Sequence, residues 1–187
     1  TINISSPNTP GLRDLHDKNA LEQLLVSIMN TKAECRKASD KNIPIFLKIS
    51  PDIQQDEQKH IAELSIKHKV DALIISNTTI GGRKILRSPD AQETGGLSGK
   101  PLFKSSTDLL RAMYQQTNGD IPLIGVGGIS SAEDAYQKIK AGASLVQLYS
   151  ALVYQGFELV NQINKGLVEL LKKDGYTHIS EAIGAEC

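Results

Sequence analysis

Cysteine is scarce in this chain: Cys35 and Cys187 are the only two among 187 residues. They stand far apart, with no CxxC or Cys/His spacing around either. That supports neither a disulfide framework nor a zinc or other metal site, and fits a reducing compartment. An excess of either charge is missing too. With 21 basic against 21 acidic side chains, no bulk field draws the chain to nucleic acid or anionic lipid, so any polyanion must be held locally. No apolar run reaches the roughly 18 to 20 residues that a membrane-crossing helix needs. The densest, Ala143 to Tyr154, is interrupted by Gln147 and Tyr149. A signal peptide and an initiator methionine are also lacking: Ile2-Asn3-Ile4 reads as strand from the outset, so further sequence is expected before Thr1.

What is present is ordinary globular composition, 40% hydrophobic and 22% charged, enough for one good core. Leu21, Leu24, Leu25, Ile28 and Met29 recur at helical spacing, predicting a helix over His16 to Ala38 with Asp17 as a cap. Pro44 to Ile49 is a short apolar run bounded by prolines, which suits a buried parallel strand. A helix over Gln54 to Lys69 and a strand over Asp71 to Ser76 repeat the pattern. Further helices are predicted at Phe103 to Gln116, Ala132 to Ala141 and Phe157 to Lys173. Further strands are predicted at Ile121 to Val126 and Ala143 to Tyr149. Strand and helix alternate throughout, the signature of an α/β fold with a parallel sheet, in which ligands sit at the carboxyl ends of the strands.

The polar anomalies fall at those ends. Asn3-Ile4-Ser5-Ser6-Pro7-Asn8-Thr9 packs two carboxamides and three hydroxyls into a loop that Pro7 and Gly11 keep from becoming a helix. Facing a planar, amide-rich ligand, Asn3 and Asn8 could satisfy both its donors and its acceptors; by itself the stretch also reads as a plain Asx or Ser turn. Lys48 lies near the end of a buried strand, a costly place for a cation unless an anionic or electron-rich group waits there, or unless it snorkels to the surface. Ser76-Asn77-Thr78-Thr79 closes the next strand. From Ile80 to Lys100 no helical period exists, and Gly81-Gly82, Gly95-Gly96 and Gly99 would let the backbone close over a flat ligand as a mobile lid. Gly127-Gly128 lies between a strand and a helix start, where backbone N–H groups stabilise a phosphate.

In this order, Asn3-Ile-Ser-Ser-Pro-Asn-Thr9, Lys48, Ser76-Asn-Thr-Thr79, Glu93-Thr-Gly-Gly-Leu-Ser-Gly-Lys-Pro-Leu102, Gly125-Val-Gly-Gly-Ile129 and Ala141-Gly-Ala-Ser-Leu-Val-Gln-Leu-Tyr149 resemble the class 2 dihydroorotate dehydrogenases. Any one motif is weak; the ordered set covers essentially the whole chain. The resemblance implies a flavin-containing (β/α)8 TIM barrel. Of it, residues 1–187 would be the part of the FMN-binding domain from about strand 4 to strand 8, with the early strands and a membrane-associating amphipathic segment outside this chain. It further implies oxidation of dihydroorotate to orotate in pyrimidine biosynthesis, with FMN as cofactor and electrons passed to a quinone. The enzyme would be peripheral on the cytoplasmic side of the bacterial inner membrane, or on the mitochondrial inner membrane as the alternative.

By the same resemblance Ser6 is the base that removes the C5 proton while hydride leaves C6. Serine there, where the soluble class 1 enzymes carry cysteine, argues for class 2 and quinone. Asn3, Ser5, Pro7, Asn8, Asn77 and Thr78 correspond to residues around the pyrimidine. Asn3, Lys48, Ser76 and Gly99 correspond to flavin contacts, Lys48 beside the pyrimidine end of the isoalloxazine. Gly127, Gly128, Tyr149 and Ser150 correspond to the phosphate grip. Two other readings remain open on the residues: another FMN-dependent barrel, such as a dihydrouridine or lactate oxidiser, and a non-catalytic partial barrel that serves as a binding or assembly module.

Overall fold

The alternation of apolar runs and amphipathic stretches is realised as one sheet of five parallel strands in sequential order, seen in a computed structural model that describes residues 1–187. The strands are β1 (Ile2–Asn3), β2 (Phe46–Ile49), β3 (Ala72–Ile75), β4 (Leu123–Val126) and β5 (Ala143–Gln147). The helices are α1 (Lys18–Ser39), α2 (Gln55–Lys67), α3 (Phe103–Thr117), α4 (Ala132–Lys140), the short α5 (Ser150–Gln155) and α6 (Glu158–Lys173). Sequential strand order with a helix after each strand is the geometry of a β/α-barrel wall.

The two-residue period of a strand assigns the faces. Leu47, Ile49, Leu73, Ile75 and Leu123 point to the helices. There they join Leu21 and Leu25 of α1, Ile61 and Leu64 of α2, and Leu109, Leu110 and Met113 of α3 in one buried cluster. Each such side chain taken from water contributes about 1.5–3 kcal/mol, so this face holds the sheet to its helices. The opposite face carries Ala72, Ile74 and Ile124 with Phe46 and Val126 against them. The register places Asn3 beside Lys48, Lys48 beside Ile74, Ile124 beside Leu145 and Val126 beside Gln147 on that same side. A register shift after Leu123 leaves Ser144 unpaired and restores the alternation.

Local chemistry explains most boundaries. Asp17 caps α1, its carboxylate accepting from the N–H groups of Asn19 at 3.0 Å and Ala20 at 3.1 Å. That is why α1 begins at Lys18 and not at His16, as periodicity predicts; residues Leu12–His16 instead form a 3-10 turn. Gln54 and Glu57 form a reciprocal capping box on α2. The expected strand over Ala143 to Tyr149 stops at Gln147, because Tyr149 and Ser150 turn into α5, a helix the apolar spacing does not announce.

The inner face is open. Leu145 is 63% exposed at the β5 edge, and Tyr149, Tyr154 and Phe157 beyond it are at least 80% exposed. Edge strands and apolar area of this kind drive association in water. The 187-residue chain expressed by itself is therefore expected to bind an apolar dye, to sediment as oligomers and to retain flavin at well below one equivalent. Recovery of a monomer with stoichiometric flavin absorbance would contradict this.

Candidate functional site

The carboxyl ends of the strands converge on one cleft of about 610 Å³, within the roughly 300–1,000 Å³ typical of small-molecule sites. Its wall includes Lys48 from β2, Ser76, Asn77 and Thr78 after β3, Gly99 at the end of the long connection, Gly127 and Gly128 after β4, and Tyr149 and Ser150 after β5. Nine of the residues singled out from sequence are thus brought to one surface by four successive βα units. Gln147 and Tyr154 line it as well. Neither is legible from motif; the inward register of Gln147 opposite Val126 is the signal that finds it.

The opening loop adjoins this wall through side-chain bonds. Asn3 Oδ1 accepts from Ser5 Oγ at 2.6 Å and from the Ser5 amide at 3.2 Å. Asn77 Nδ2 donates to Ser5 Oγ at 3.0 Å and to Asn3 Oδ1 at 3.4 Å, while Asn77 Oδ1 accepts from the Thr78 N–H at 2.8 Å. Both carboxamides are oriented by these bonds, a pre-organisation that lowers the cost of ordering them on a ligand. Ser5 is fully buried and its hydroxyl is engaged by Asn3 and Asn77. Asn3, Ser5, Ser6, Pro7 and Asn8 lie outside the cleft wall proper. Ser6 Oγ accepts from the Asn8 N–H at 3.3 Å, and no histidine or carboxylate bonds to it.

Three turns are clamped behind the loop. Asp52 pairs with Arg13 at 3.1 Å and accepts from Thr79 Oγ1 and from the Ile80 N–H. His16 is buried, its Nδ1 bonding the Arg13 carbonyl at 2.9 Å and its Nε2 accepting from the Ser50 N–H at 3.4 Å. That arrangement requires the neutral ring with its proton on Nδ1. Burial pushes the pKa of His16 below its ordinary value in the same direction. Sequence reasoning missed this clamp, because its members are separated by tens of residues.

The connection from Ile80 to Lys100 folds back on the site. Thr79 and Leu97 pair as an isolated antiparallel bridge, and Arg83 donates to the carbonyls of Ala91 and Gly95. Gly96 passes so close to Thr78 and Pro7 that a Cβ there would stand 1.8 Å from Thr78 Oγ1. Only glycine allows this approach, which sets the connection directly over the loop and the Asn77–Thr78 turn. At its far end Ser98 Oγ and Ser150 Oγ are 3.0 Å apart.

At the start of α4, Ser131 Oγ accepts from the Asp134 N–H, and Asp134 accepts from the N–H and hydroxyl of Ser130. The amides of Gly127, Gly128 and Ile129, and of Leu148 and Tyr149 across the cleft, have no acceptor in the chain, and neither do those of Ser131 and Ala132 at the start of α4. Buried or half-buried N–H groups without partners call for an anion or water, so the candidate donor set is the loop together with the start of α4. Lys48 is half-buried on the inner face, and burial lowers its pKa from the usual lysine value.

A wall of parallel strands carrying a cation, oriented carboxamides and turns of free amides at the strands' carboxyl ends defines a β/α-barrel protein whose cleft has the chemistry to hold an anionic, planar ligand. The comparisons make this specific. A family profile described as dihydroorotate dehydrogenase matches residues 1–171, and the chain belongs to that family. It is 51% identical over 186 residues to a protein named dihydroorotate dehydrogenase (quinone) from Parvibaculum lavamentivorans, covering 100% of this chain and 51% of that relative. It is 48% identical to dihydroorotate dehydrogenase (quinone), mitochondrial, from Oryza sativa subsp. japonica, covering 99% of this chain and 40% of the relative. The crystal structure of the Eimeria tenella enzyme in complex with ferulenol superposes with a TM-score of 0.94 at 35% identity, over 99% of this chain and 53% of that one. The chain therefore spans about half the length of the proteins it matches. None of its own helices is long and apolar enough to cross a membrane.

Proposed function

We propose that residues 1–187 form the FMN- and substrate-binding portion of a quinone-dependent dihydroorotate dehydrogenase, an oxidoreductase of pyrimidine biosynthesis, and that this portion is one domain. The observation that carries the proposal is the shared cleft. Free amides at Gly127, Gly128 and Tyr149 stand at one end, the bonded Asn3–Ser5–Asn77–Thr78 group adjoins the other, and Lys48 lies on the wall they share. A phosphate monoester suits the amides; the edge of a pyrimidine, with alternating N–H and C=O, suits the carboxamides.

FMN bound here would supply the two-electron acceptor for dihydroorotate, with a quinone as the final oxidant. The residues of the chain hold and prepare the partners. Gly127, Gly128, Tyr149 and Ser150 hold the phosphate, while Ser76 and Gly99 contact the flavin. Asn3, Asn8, Asn77 and Thr78 orient the pyrimidine, with Ser5 and Pro7 shaping the loop. Lys48 keeps a positive charge where negative charge gathers during reduction, a stabilisation that is large in a half-dry site. Ser6 removes the C5 proton. The connection over Thr78 and Pro7 excludes water. Peripheral attachment to the bacterial inner membrane on its cytoplasmic side, or to the mitochondrial inner membrane, belongs to sequence outside these residues.

The deciding experiment is anaerobic titration of the full-length protein: dihydroorotate is expected to bleach the flavin, and a soluble quinone to restore it. Bleaching by lactate or a dihydrouridine instead would reassign the substrate. In the same assay Lys48→Met is expected to slow bleaching by about 10²-fold, the scale of removing one preorganised charge-stabilising group. An unchanged rate would remove Lys48 from the chemistry.

A further inference from the structure

Lys138 is the largest side chain in the molecule with no exposed surface, and nothing in the site described above uses it. It projects from α4 beneath β4, where its Nζ donates to Ser106 Oγ at 2.6 Å and lies 5.1 Å from the centre of the Phe103 ring. No carboxylate lies within ion-pairing distance. Asp108 is paired with Lys104 and Arg111 on the α3 surface, and Asp134 is bonded to Ser130. A buried ammonium without a counter-ion costs several kcal/mol after relaxation, so its retention calls for a reason.

Ser106 supplies the connection. Its Oγ is 3.3 Å from the carbonyl oxygen of Gly127 and 3.1 Å from that of Phe103. The same turn of α3 presses on Gly128, where a Cβ would stand 2.5 to 2.8 Å from Phe103 atoms. The cation thus stands one hydrogen-bonded hydroxyl behind a turn whose amides have no acceptor in the chain.

We propose that Lys138 is a positioning residue for the phosphate grip: through Ser106 it fixes the Gly127 carbonyl, so that the amides of Gly127 and Gly128 face the cleft, and it supplies from behind the charge that a phosphate monoester dianion balances. This rests on the reading of that turn as the FMN phosphate site. Burial brings the Lys138 pKa down to about 7, with Asp108 and Asp134 opposing at longer range. A dianion in front of the turn therefore acts on an amine that is readily protonated near neutral pH.

The test compares FMN with riboflavin, which lacks only the phosphate, as ligands of the full-length protein stripped of flavin. Wild type is expected to prefer FMN. Lys138→Met is expected to weaken FMN about tenfold and to leave riboflavin within about twofold, tenfold being 1.4 kcal/mol of selective loss. Its ligand-free form should melt no lower than wild type at pH 7, because the substitution removes an uncompensated buried charge. Ser106→Ala should shift the same ratio in the same direction, and the double variant should lose no more than Lys138→Met alone. An unchanged FMN-to-riboflavin ratio in Lys138→Met overturns the proposal, as does equal loss of both ligands together with a lower Tm, the outcome of a purely structural lysine. If Lys138→Met does not fold, Ser106→Ala carries the same comparison. If wild type itself binds riboflavin as tightly as FMN, the phosphate reading of the turn fails first and visibly.

Discussion

Ser6→Ala in the full-length protein is expected to keep its flavin and to lose about 10² to 10⁴-fold in the rate at which dihydroorotate reduces it, the range of a missing general base. The substitution removes one oxygen from a half-buried position whose hydroxyl makes a single contact, with the Asn8 amide. The loop keeps its shape without it, because the Asn3–Ser5–Asn77 bonds and the Arg13–Asp52 pair do not involve Ser6. The effect should therefore fall on proton removal and leave Tm and FMN affinity near wild type. A serine hydroxyl is a weak base, and no histidine or carboxylate is bonded to Ser6, so in the proposed role its own proton must leave through a hydroxyl or water relay, in a site that the connection crossing Thr78 at Gly96 shields from bulk solvent. Stopped-flow reduction under anaerobic conditions separates the outcomes: a normal rate in Ser6→Ala would falsify its role as the base.

Gly128→Ala is expected to damage the glycine turn severely. The residue has φ +78°, and its new Cβ would meet Phe103 Cβ, Cα and N at 2.5, 2.7 and 2.8 Å. A non-glycine residue in that region of φ costs on the order of 1–3 kcal/mol before any clash, and two of the three atoms met are backbone, which cannot rotate away. The turn must shift, taking the Gly127 and Gly128 amides from their positions. FMN affinity should fall by about 10²-fold or more, equivalent to about 2.7 kcal/mol, while riboflavin is affected less. Equilibrium titration measures this directly; FMN affinity within a factor of about two of wild type would show that the turn does not hold the phosphate.

Much of this was legible in the residues because strands and amphipathic helices are local patterns. Leu47, Ile49, Leu73 and Ile75 alternate with inward residues over short apolar runs, and Leu21, Leu25, Ile61 and Leu64 keep helical spacing, so five βα turns and their polar ends follow from period alone. Asn77, Lys48, Gly127 and Gly128 were identifiable for the same reason, each being a polar or glycine break at the end of such a run. Boundaries set by a single hydrogen bond were less accessible. Asp17 starts α1 two residues late, and Tyr149 ends β5 early to begin α5. Lys138 was invisible, since a lysine at position seven of a polar nine-residue helix reads as solvated until α3 is seen to cover it.

The sequence by itself determined the parallel α/β class, the order of its units, the family and the residues at the strand ends, because each depends on patterns a few residues long or on an ordered set of motifs. Tertiary structure alone decided which of those residues share a wall, that free amides lie in the Gly127–Gly128 and Tyr149 turns, and that Asp52, Arg13 and Thr79 clamp the site from behind. It also decided that the Lys138 amine stands buried beneath the turn. Those facts are distances between groups remote in the chain, fixed by how the sheet face and α3 pack, and burial is what makes a charge or an unpaired amide energetically consequential.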